Sequence, residues 1–341
     1  MTGTQEAVDA AMIEAAEARL SGHVRRTPLL GSPFLDEIAG KRVLIKAEAL
    51  QHTGSFKFRG AWSALSALPP EQRARGVIAF SSGNHAQGVA RAASLWGCPC
   101  VIIMPRDAPA LKIANTRAFG AEVVLYDRLS EDRDALGDEM ARARGLTLVK
   151  PFDDPQVIAG QATAGLEIAA QAQEFGIGGG GTDVLVCCGG GGLTAGIALA
   201  LEARRSGLRV RPVEPEGFDD TARSLERGSH VDNAAAAGSI CDAIVTPRPG
   251  MLTFPILKRL CGPGLAVTDL QAMQAMREAF LRLKLVLEPG GAVALAAALY
   301  KARDCPGDTV IAVATGGNVD PVLFTRALAI LDTGMDGAGT E

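Results

Sequence analysis

Lys57 is the side chain in this sequence whose surroundings most suggest covalent chemistry. It stands between two phenylalanines in the segment SFKFRGA (residues 55–61), close to glycines. A partly desolvated amine has a lowered pKa, and a neutral amine can attack an aldehyde to form a Schiff base. The residues leave a second interpretation open, in which the lysine stem packs on apolar neighbours and the ammonium reaches water.

A second segment, SSGNHAQG (residues 81–88), follows a predicted strand and opens a predicted helix. The hydroxyls of Ser81 and Ser82, the amide of Asn84 and free backbone N–H groups would suit a carboxylate, with His85 beside them. An ordinary serine or asparagine helix cap remains the alternative.

Four consecutive glycines, Gly189, Gly190, Gly191 and Gly192, connect another predicted strand to a helix. Such a loop lets the backbone approach an anion closely, which favours a phosphate site. The run is neither GxGxxG nor GxxxxGK[ST], so it lacks the spacing of a dinucleotide-binding oxidoreductase or a P-loop. A tight turn is the alternative.

Two further strand ends carry polar groups. Thr315 follows strand 309–314 and offers a hydroxyl to a ligand ring nitrogen, or a helix cap. The turn EPEGFDD (residues 214–220) contains Glu214 and Asp220, which would suit a hard cation. Solvated acidic turns are the commoner case.

These groups must be positioned by an alternation of strands and helices. Strands are predicted at 43–47, 77–80, 100–104, 122–126, 183–188, 208–214 and 309–314, and helices at 85–96, 110–119, 133–144, 158–175, 193–205, 269–283 and 319–330. The alternation predicts an α/β protein with parallel sheets, in which ligands bind beyond the carboxyl ends of strands. Residues 331–341 are predicted to be a disordered tail.

Composition excludes several classes. The net charge is −4 and no basic block is present, so nucleic acid is not expected as a partner. The four histidines form no HExxH motif, which argues against a zinc hydrolase. The N-terminus predicts an amphipathic helix, no apolar run is long enough for a membrane span, and the seven cysteines fit reduced thiols of a cytoplasmic protein.

Taken in order, the motifs SFKFRGA, SSGNHAQG, VIAGQATAGLEI, GGGGL, EPEGFDD, LEPGGAVALAAAL and TGGNVD resemble the fold type II pyridoxal-phosphate (PLP) enzymes of the serine/threonine dehydratase and serine racemase branch. The resemblance covers roughly residues 15–330. It implies two parallel-sheet β/α domains, as in the tryptophan synthase β-subunit. Residues 1–65 with 150–330 would form a large PLP-binding domain and residues 66–149 a small mobile domain.

The resemblance also implies roles for individual residues. PLP would be held by Lys57 covalently, and by Phe56, Asn84, Gly189, Gly190, Gly191, Gly192, Glu288 and Thr315. The substrate would be held by Ser81, Ser82, Asn84 and His85. A divalent cation, Mg²⁺ or else Mn²⁺ or Ca²⁺, would be bound by Glu214, the carbonyl of Phe218 and Asp220.

The implied reaction is α,β-elimination from a β-hydroxy amino acid, with L-threonine or L-serine as first choice, to give a 2-oxo acid and ammonia. Lys57 would take the α-proton. Two arginines, Arg133 and Arg248, could bind a second carboxylate and keep 3-hydroxyaspartate open as a substrate. A serine or aspartate racemase with side dehydratase activity is the other alternative, since Ser82 could return a proton from the opposite face. The family further implies a homodimer.

Overall fold

The computed structural model of the protein describes residues 8–81, 83–108, 110–127, 130–178 and 180–330. Its strands are β1 (Leu29–Gly31), β2 (Arg42–Ala47), β3 (Val77–Phe80), β4 (Cys100–Pro105), β5 (Glu122–Tyr126), β6 (Thr147–Leu148), β7 (Asp183–Cys187), β8 (Arg209–Pro215), β9 (Leu265–Val267) and β10 (Thr309–Ala314). Its helices are α1 (Ala10–Leu20), α2 (Pro33–Ala39), α3 (Lys57–Ala67), α4 (Pro70–Arg75), α5 (Asn84–Trp96), α6 (Ala110–Ala118), α7 (Arg133–Arg144), α8 (Pro155–Glu174), α9 (Gly192–Ala203), α10 (Asp220–Arg227), α11 (Thr253–Leu260), α12 (Asp269–Glu278), α13 (Pro289–Tyr300) and α14 (Pro321–Leu328).

The strands form two sheets. One has six strands in the order β1-β2-β10-β7-β8-β9, and the other has four in the order β5-β4-β3-β6. Neighbouring strands are parallel except that β1 runs antiparallel to β2 at the edge of the larger sheet. The predicted α/β class with two parallel sheets is therefore confirmed, with one antiparallel strand added. The division at residues 65/66 and 149/150 stays a prediction.

Side-chain caps fix the start of several helices. Asp154 accepts hydrogen bonds from two backbone N–H groups of α8, and Pro155 follows it at the first helical position. Asp320 and Pro321 repeat this arrangement at α14, and Thr268 begins α12 with a reciprocal capping box. Acidic residues followed by proline begin α8 and α14, and a threonine capping box begins α12.

Helix α13 lies at the centre of the larger domain. Every residue from Pro289 to Leu299 is buried. Together with α12 it packs on one face of the six-stranded sheet, and residues of α8 and α9 pack on the other face. An apolar surface all round a helix is what burial on every side requires.

None of the helices in the described part of the chain is long and apolar enough to cross a membrane. The seven cysteines are free thiols, and all but Cys261 are buried.

Candidate active site

A cavity of about 260 Å³ lies where the carboxyl ends of β3, β7 and β10 meet the start of α3. Its wall includes Lys57, the four-glycine loop, Thr315 and residues of both sheets. Parallel strands end at one edge of a sheet, and the helices that follow them begin there with free N–H groups. The fold therefore brings Lys57, the segment from Ser81, the glycine loop and Thr315 to one cavity, whereas the acidic turn 214–220 is not part of its wall.

Lys57 is the first residue of α3 and its amine lies inside this cavity. The Nζ atom donates a hydrogen bond of 2.8 Å to the carbonyl of Pro151 and lies 5.1 Å from the centroid of the Phe56 ring. Burial lowers the pKa of Lys57 to about 8, and the carboxylate of Glu288 opposes this shift. A substantial fraction of the amine is consequently neutral near physiological pH, as a nucleophile or base requires.

The glycine loop connects β7 to α9 and has no room for side chains. A Cβ at Gly190 would overlap the Phe152 ring, and one at Gly192 would lie 2.8 Å from Oε1 of Gln161. Gly191 has a φ of 88°, which favours glycine. The Gly190 carbonyl accepts hydrogen bonds from Oγ1 of Thr253 (2.7 Å) and from a backbone N–H (3.1 Å), so the loop is held rigidly.

This loop fits the phosphate of PLP. It precedes the first turn of α9, where backbone N–H groups point outward. Beside it, both polar atoms of the buried Gln161 side chain have no hydrogen-bond partner among the described residues. Buried polar atoms without a partner are costly, so a bound polar group would satisfy them.

The opposite part of the cavity carries the groups predicted for the ring. Asn84 donates a hydrogen bond of 2.5 Å to Oε1 of Glu288, and Asn318 donates one of 2.7 Å to Oδ1 of Asn84. Burial raises the pKa of Glu288, while the Asn84 amide lowers it. Thr315 is buried on the cavity wall, and its carbonyl accepts from the backbone N–H of Phe56. Phe56, Asn84 and Thr315 thus place one aromatic ring, one amide and one hydroxyl on the cavity wall.

The segment predicted to bind the substrate carboxylate, residues 81–88, follows β3 at the cavity. Oγ of Ser81 accepts from the backbone N–H of Gly83 (3.1 Å), and α5 begins at Asn84. His85 is buried, with Nε2 at 2.8 Å from the carbonyl of Val149. Burial and the nearby Lys57 lower the pKa of His85 to about 3, so its ring is neutral and Nε2 is the donor. Ser82 lies outside the described residues, and its predicted catalytic role stays a prediction.

The two predicted arginines are placed differently. Arg133, the first residue of α7, lines the cavity with its guanidinium carbon 5.6 Å from the Phe80 ring centroid. Arg248 does not line it, because it is half exposed and forms an ion pair of 2.7 Å with Asp232. Thr246, two residues earlier in the same loop, lines the wall instead, and its buried hydroxyl has no partner among the described residues. Arg248 is thus not among the residues that line the cavity in this structure, and its predicted role in substrate binding stays a prediction.

The acidic turn after β8 lies apart from the cavity wall. Glu214 is buried and accepts from the backbone N–H groups of Thr221 (2.9 Å) and Ala222 (2.8 Å). Asp220 accepts from Asn233, and its Oδ2 is buried with no partner among the described residues. Burial raises the pKa of both carboxyls, that of Asp220 to about 7, and Asp220 raises that of Glu214 further.

A cation would fit this pair of carboxyls, since it would neutralise both groups and satisfy the remaining oxygen. The described residues contain no group of three or more His, Cys, Asp or Glu that could bind a metal. The predicted set has two acids and the carbonyl of Phe218, so its occupancy stays a prediction.

Sequence reasoning missed several residues of the cavity. They are Lys112 on α6, Tyr126 at the end of β5, Phe152 and Gln161. Asn318, which donates to Asn84 from outside the cavity lining, was missed as well. Gln161 and Asn318 lie inside motifs that had been singled out, so a signal existed. Lys112 and Tyr126 had none, because only the packing of the small sheet brings them to the cavity.

The chain matches a protein-family model described as pyridoxal-phosphate dependent enzyme over residues 20–316. It is 46% identical over 312 residues to an L-threo-3-hydroxyaspartate ammonia-lyase from Pseudomonas sp, with 91% of this chain and 94% of the relative covered. It is 37% identical to an L-threonine ammonia-lyase from Thermotoga maritima, covering 96% and 79% of the two chains. The structure of maize serine racemase superposes with a TM-score of 0.86 at 34% identity, covering 94% and 97%.

Proposed function

The chain belongs to the family of pyridoxal-phosphate-dependent enzymes, and we propose that it is an ammonia-lyase whose substrate is L-threo-3-hydroxyaspartate. The reaction removes the β-hydroxyl and the amino group and yields oxaloacetate and ammonia. Sequence reasoning put L-threonine and L-serine first and kept 3-hydroxyaspartate as an alternative. We now place 3-hydroxyaspartate first among these substrates because of the positive charge on one wall of the cavity.

Two cationic side chains, Lys112 and Arg133, line the cavity from the side of the four-stranded sheet. The α-carboxylate of an amino acid would be taken by the segment that begins at Ser81. A methyl group, as in threonine, gains nothing from these cations. A second carboxylate does, because charged partners offset the free energy lost when it leaves water. This wall is the observation that supports a dicarboxylic substrate.

When bound, PLP supplies an electron-withdrawing ring that allows Cα to lose its proton and Cβ its hydroxyl. Lys57 would hold the group and, once released, would accept the α-proton at Nζ, since its pKa of about 8 leaves it partly neutral. The loop 189–192 would bind the phosphate, and Thr315 would offer a hydroxyl to the ring nitrogen. Asn84, held by Glu288 and Asn318, would keep the ring in place.

The test is a keto-acid release assay on the holoenzyme with L-threo-3-hydroxyaspartate, L-serine, L-threonine and D-serine. We expect kcat/KM for L-threo-3-hydroxyaspartate to exceed that for L-serine and L-threonine at least ~10-fold, the order of one charge-assisted contact. A higher kcat/KM for L-threonine or L-serine would overturn the substrate assignment.

Racemisation is the second candidate, supported by the similarity to maize serine racemase. Its test is chiral analysis of the amino acid that remains after partial conversion of L-serine. Accumulation of D-serine faster than keto acid would favour racemisation, and its absence would leave elimination as the reaction.

We also propose a homodimeric, cytoplasmic enzyme in which residues 66–149 move as a small domain to close the cavity. Arg133 and Lys112 would then be carried toward the substrate by closure, which would exclude water from the reacting atoms. The seven free thiols support a reducing compartment. Size-exclusion chromatography with light scattering tests the dimer.

A further inference from the structure

We propose that the Phe80 ring, seated against Gly137, holds Arg133 in position for the second carboxylate of the substrate. Phe80 and Gly137 would then be positioning residues that determine the choice between a dicarboxylic and a monocarboxylic β-hydroxy amino acid. The inference rests on the proposed function and extends it to two residues without a reactive group.

The geometry joins these three residues. Phe80 is the last residue of β3, lines the cavity and is half-buried. Arg133 begins α7, and its guanidinium carbon lies 5.6 Å from the centroid of the Phe80 ring. Gly137 follows one turn later, and a Cβ built there would overlap two ring carbons of Phe80. Residues four apart share one face of a helix, so the ring lies along the first turn of α7.

Gly137 is an unfavourable residue for the interior of a helix, since glycine loses more backbone freedom than alanine on folding. Its φ lies outside the left-handed region, so backbone conformation does not require glycine here. The contact with Phe80 does. The absence of a side chain at residue 137 lets the ring lie close to the helix and under the guanidinium.

The ring limits the freedom of an exposed arginine. A long exposed side chain samples many rotamers and loses that freedom when it binds a carboxylate. A guanidinium lying over an aromatic ring is attracted to the ring face and keeps its plane near one orientation. The arginine is thereby partly ordered before the substrate arrives, which favours binding.

Phe80 also joins the two positions proposed to bind the carboxylates of the substrate. The residue after it is Ser81, which opens the segment proposed for the α-carboxylate, and the ring itself supports Arg133. Since β3 carries both, the distance between the two carboxylate positions is set by one short piece of backbone and one side chain. This would match the enzyme to a substrate of fixed length.

The experiment measures kcat and KM of the holoenzyme for L-threo-3-hydroxyaspartate and for L-serine in Gly137→Ala, Phe80→Leu and the double variant. We expect the ratio of the two kcat/KM values to fall ~5-fold or more in each single variant, mainly through a higher KM for the dicarboxylic substrate. In the double variant this ratio should be no lower than in Phe80→Leu, because the methyl added at residue 137 has no ring left to displace. Glu139→Ala, on the exposed side of the same helix, is the matched control.

An unchanged ratio in both single variants, with the wild type preferring L-threo-3-hydroxyaspartate, overturns this inference and leaves the proposed function standing. A wild-type enzyme without that preference overturns both. If Gly137→Ala does not fold, as judged by circular dichroism and PLP absorbance, the ratio of the two kcat/KM values in Phe80→Leu alone tests the inference. Equal losses on both substrates would indicate general damage and count against a positioning role.

Discussion

At Lys57, burial determines the protonation state of the amine that we propose holds PLP. The pKa of this amine is lowered to about 8, whereas an unperturbed lysine has a value of 10.5. His85 beside it has a pKa lowered to about 3 and stays neutral at any pH at which the enzyme would work. The amine is therefore the group here that we expect to titrate near neutrality.

A pH dependence of cofactor loading follows from this shift. Only the neutral amine attacks an aldehyde, so the rate at which apoenzyme takes up PLP should rise with pH and level off above about 8. Stopped-flow absorbance after mixing apoenzyme with PLP measures this rate. A rate that still rises steeply at pH 10 would contradict the lowered pKa, and Lys57→Ala, which lacks the amine, should show no borohydride-reducible adduct.

At the level of elements, the loop between β7 and α9 depends on glycine for close approach. We expect Gly190→Ala to weaken PLP binding ~10-fold or more, because the added methyl overlaps the Phe152 ring and pushes the loop into the phosphate space. Fluorescence titration of apoenzyme with PLP measures the change. Gly180→Ala is the control, because a Cβ there has no neighbour within 4 Å. Equal PLP affinity in the two variants would contradict the proposal that the loop 189–192 binds the phosphate.

A buried ionic network joins β2, α3 and α8 behind the cavity. Arg59, two residues after Lys57, donates to Glu48 and Glu167, and Lys46 donates to Glu167 at 2.5 Å. Arg59 and Glu48 are fully buried. Burial raises the pKa of Glu48, but the charge and hydrogen bonds of Arg59, together with Lys46 and Thr27, lower it below its usual value. The network fixes the helix that begins with Lys57.

Removing the arginine should take the shared guanidinium partner from Glu48 and Glu167, which leaves the buried Glu48 with the Thr27 hydroxyl and Glu167 with Lys46. We expect Arg59→Met to lower the free energy of unfolding by about 3–5 kcal/mol, as for other broken buried ion pairs. Urea denaturation measures the loss. Arg26→Met breaks an exposed pair with Glu174 and should cost less than about 1 kcal/mol. Similar losses in both variants would show that burial of the network contributes nothing.

At the scale of the whole molecule, a bound cation would stabilise the folded state over the unfolded one. If Mg²⁺ binds Glu214 and Asp220, EDTA should lower Tm by about 5 °C relative to saturating Mg²⁺, by mass action. Asp220→Asn should abolish the difference, whereas Asp232→Asn, an exposed acid paired with Arg248, should keep it. Identical Tm values with EDTA and Mg²⁺ would show that the acidic turn does not bind Mg²⁺.

Much of the fold is readable from the sequence because its signals are local. Strands 77–80, 122–126 and 309–314 were predicted at their observed bounds, and the helix 133–144 likewise. Alternation of β-branched runs with helical patterns marks them. Strands β1, β6 and β9 were missed because a strand of two or three residues is too short to show a periodic pattern of apolar residues. Helix α13 was missed because it is apolar on every side, so its sequence shows no stripe.

The site divides along the same line. The sequence by itself predicted that Lys57, the segment from Ser81, the glycine loop and Thr315 serve one kind of chemistry, because these short local motifs in this order resemble one enzyme family. Only the tertiary structure decided which long cationic side chains line the cavity. Arg248 turns to Asp232, whereas Lys112 and Arg133 reach the cavity. An exposed arginine or lysine looks alike in any sequence, and its direction depends on tertiary packing; the Arg133 guanidinium lies over the Phe80 ring, which packs against Gly137.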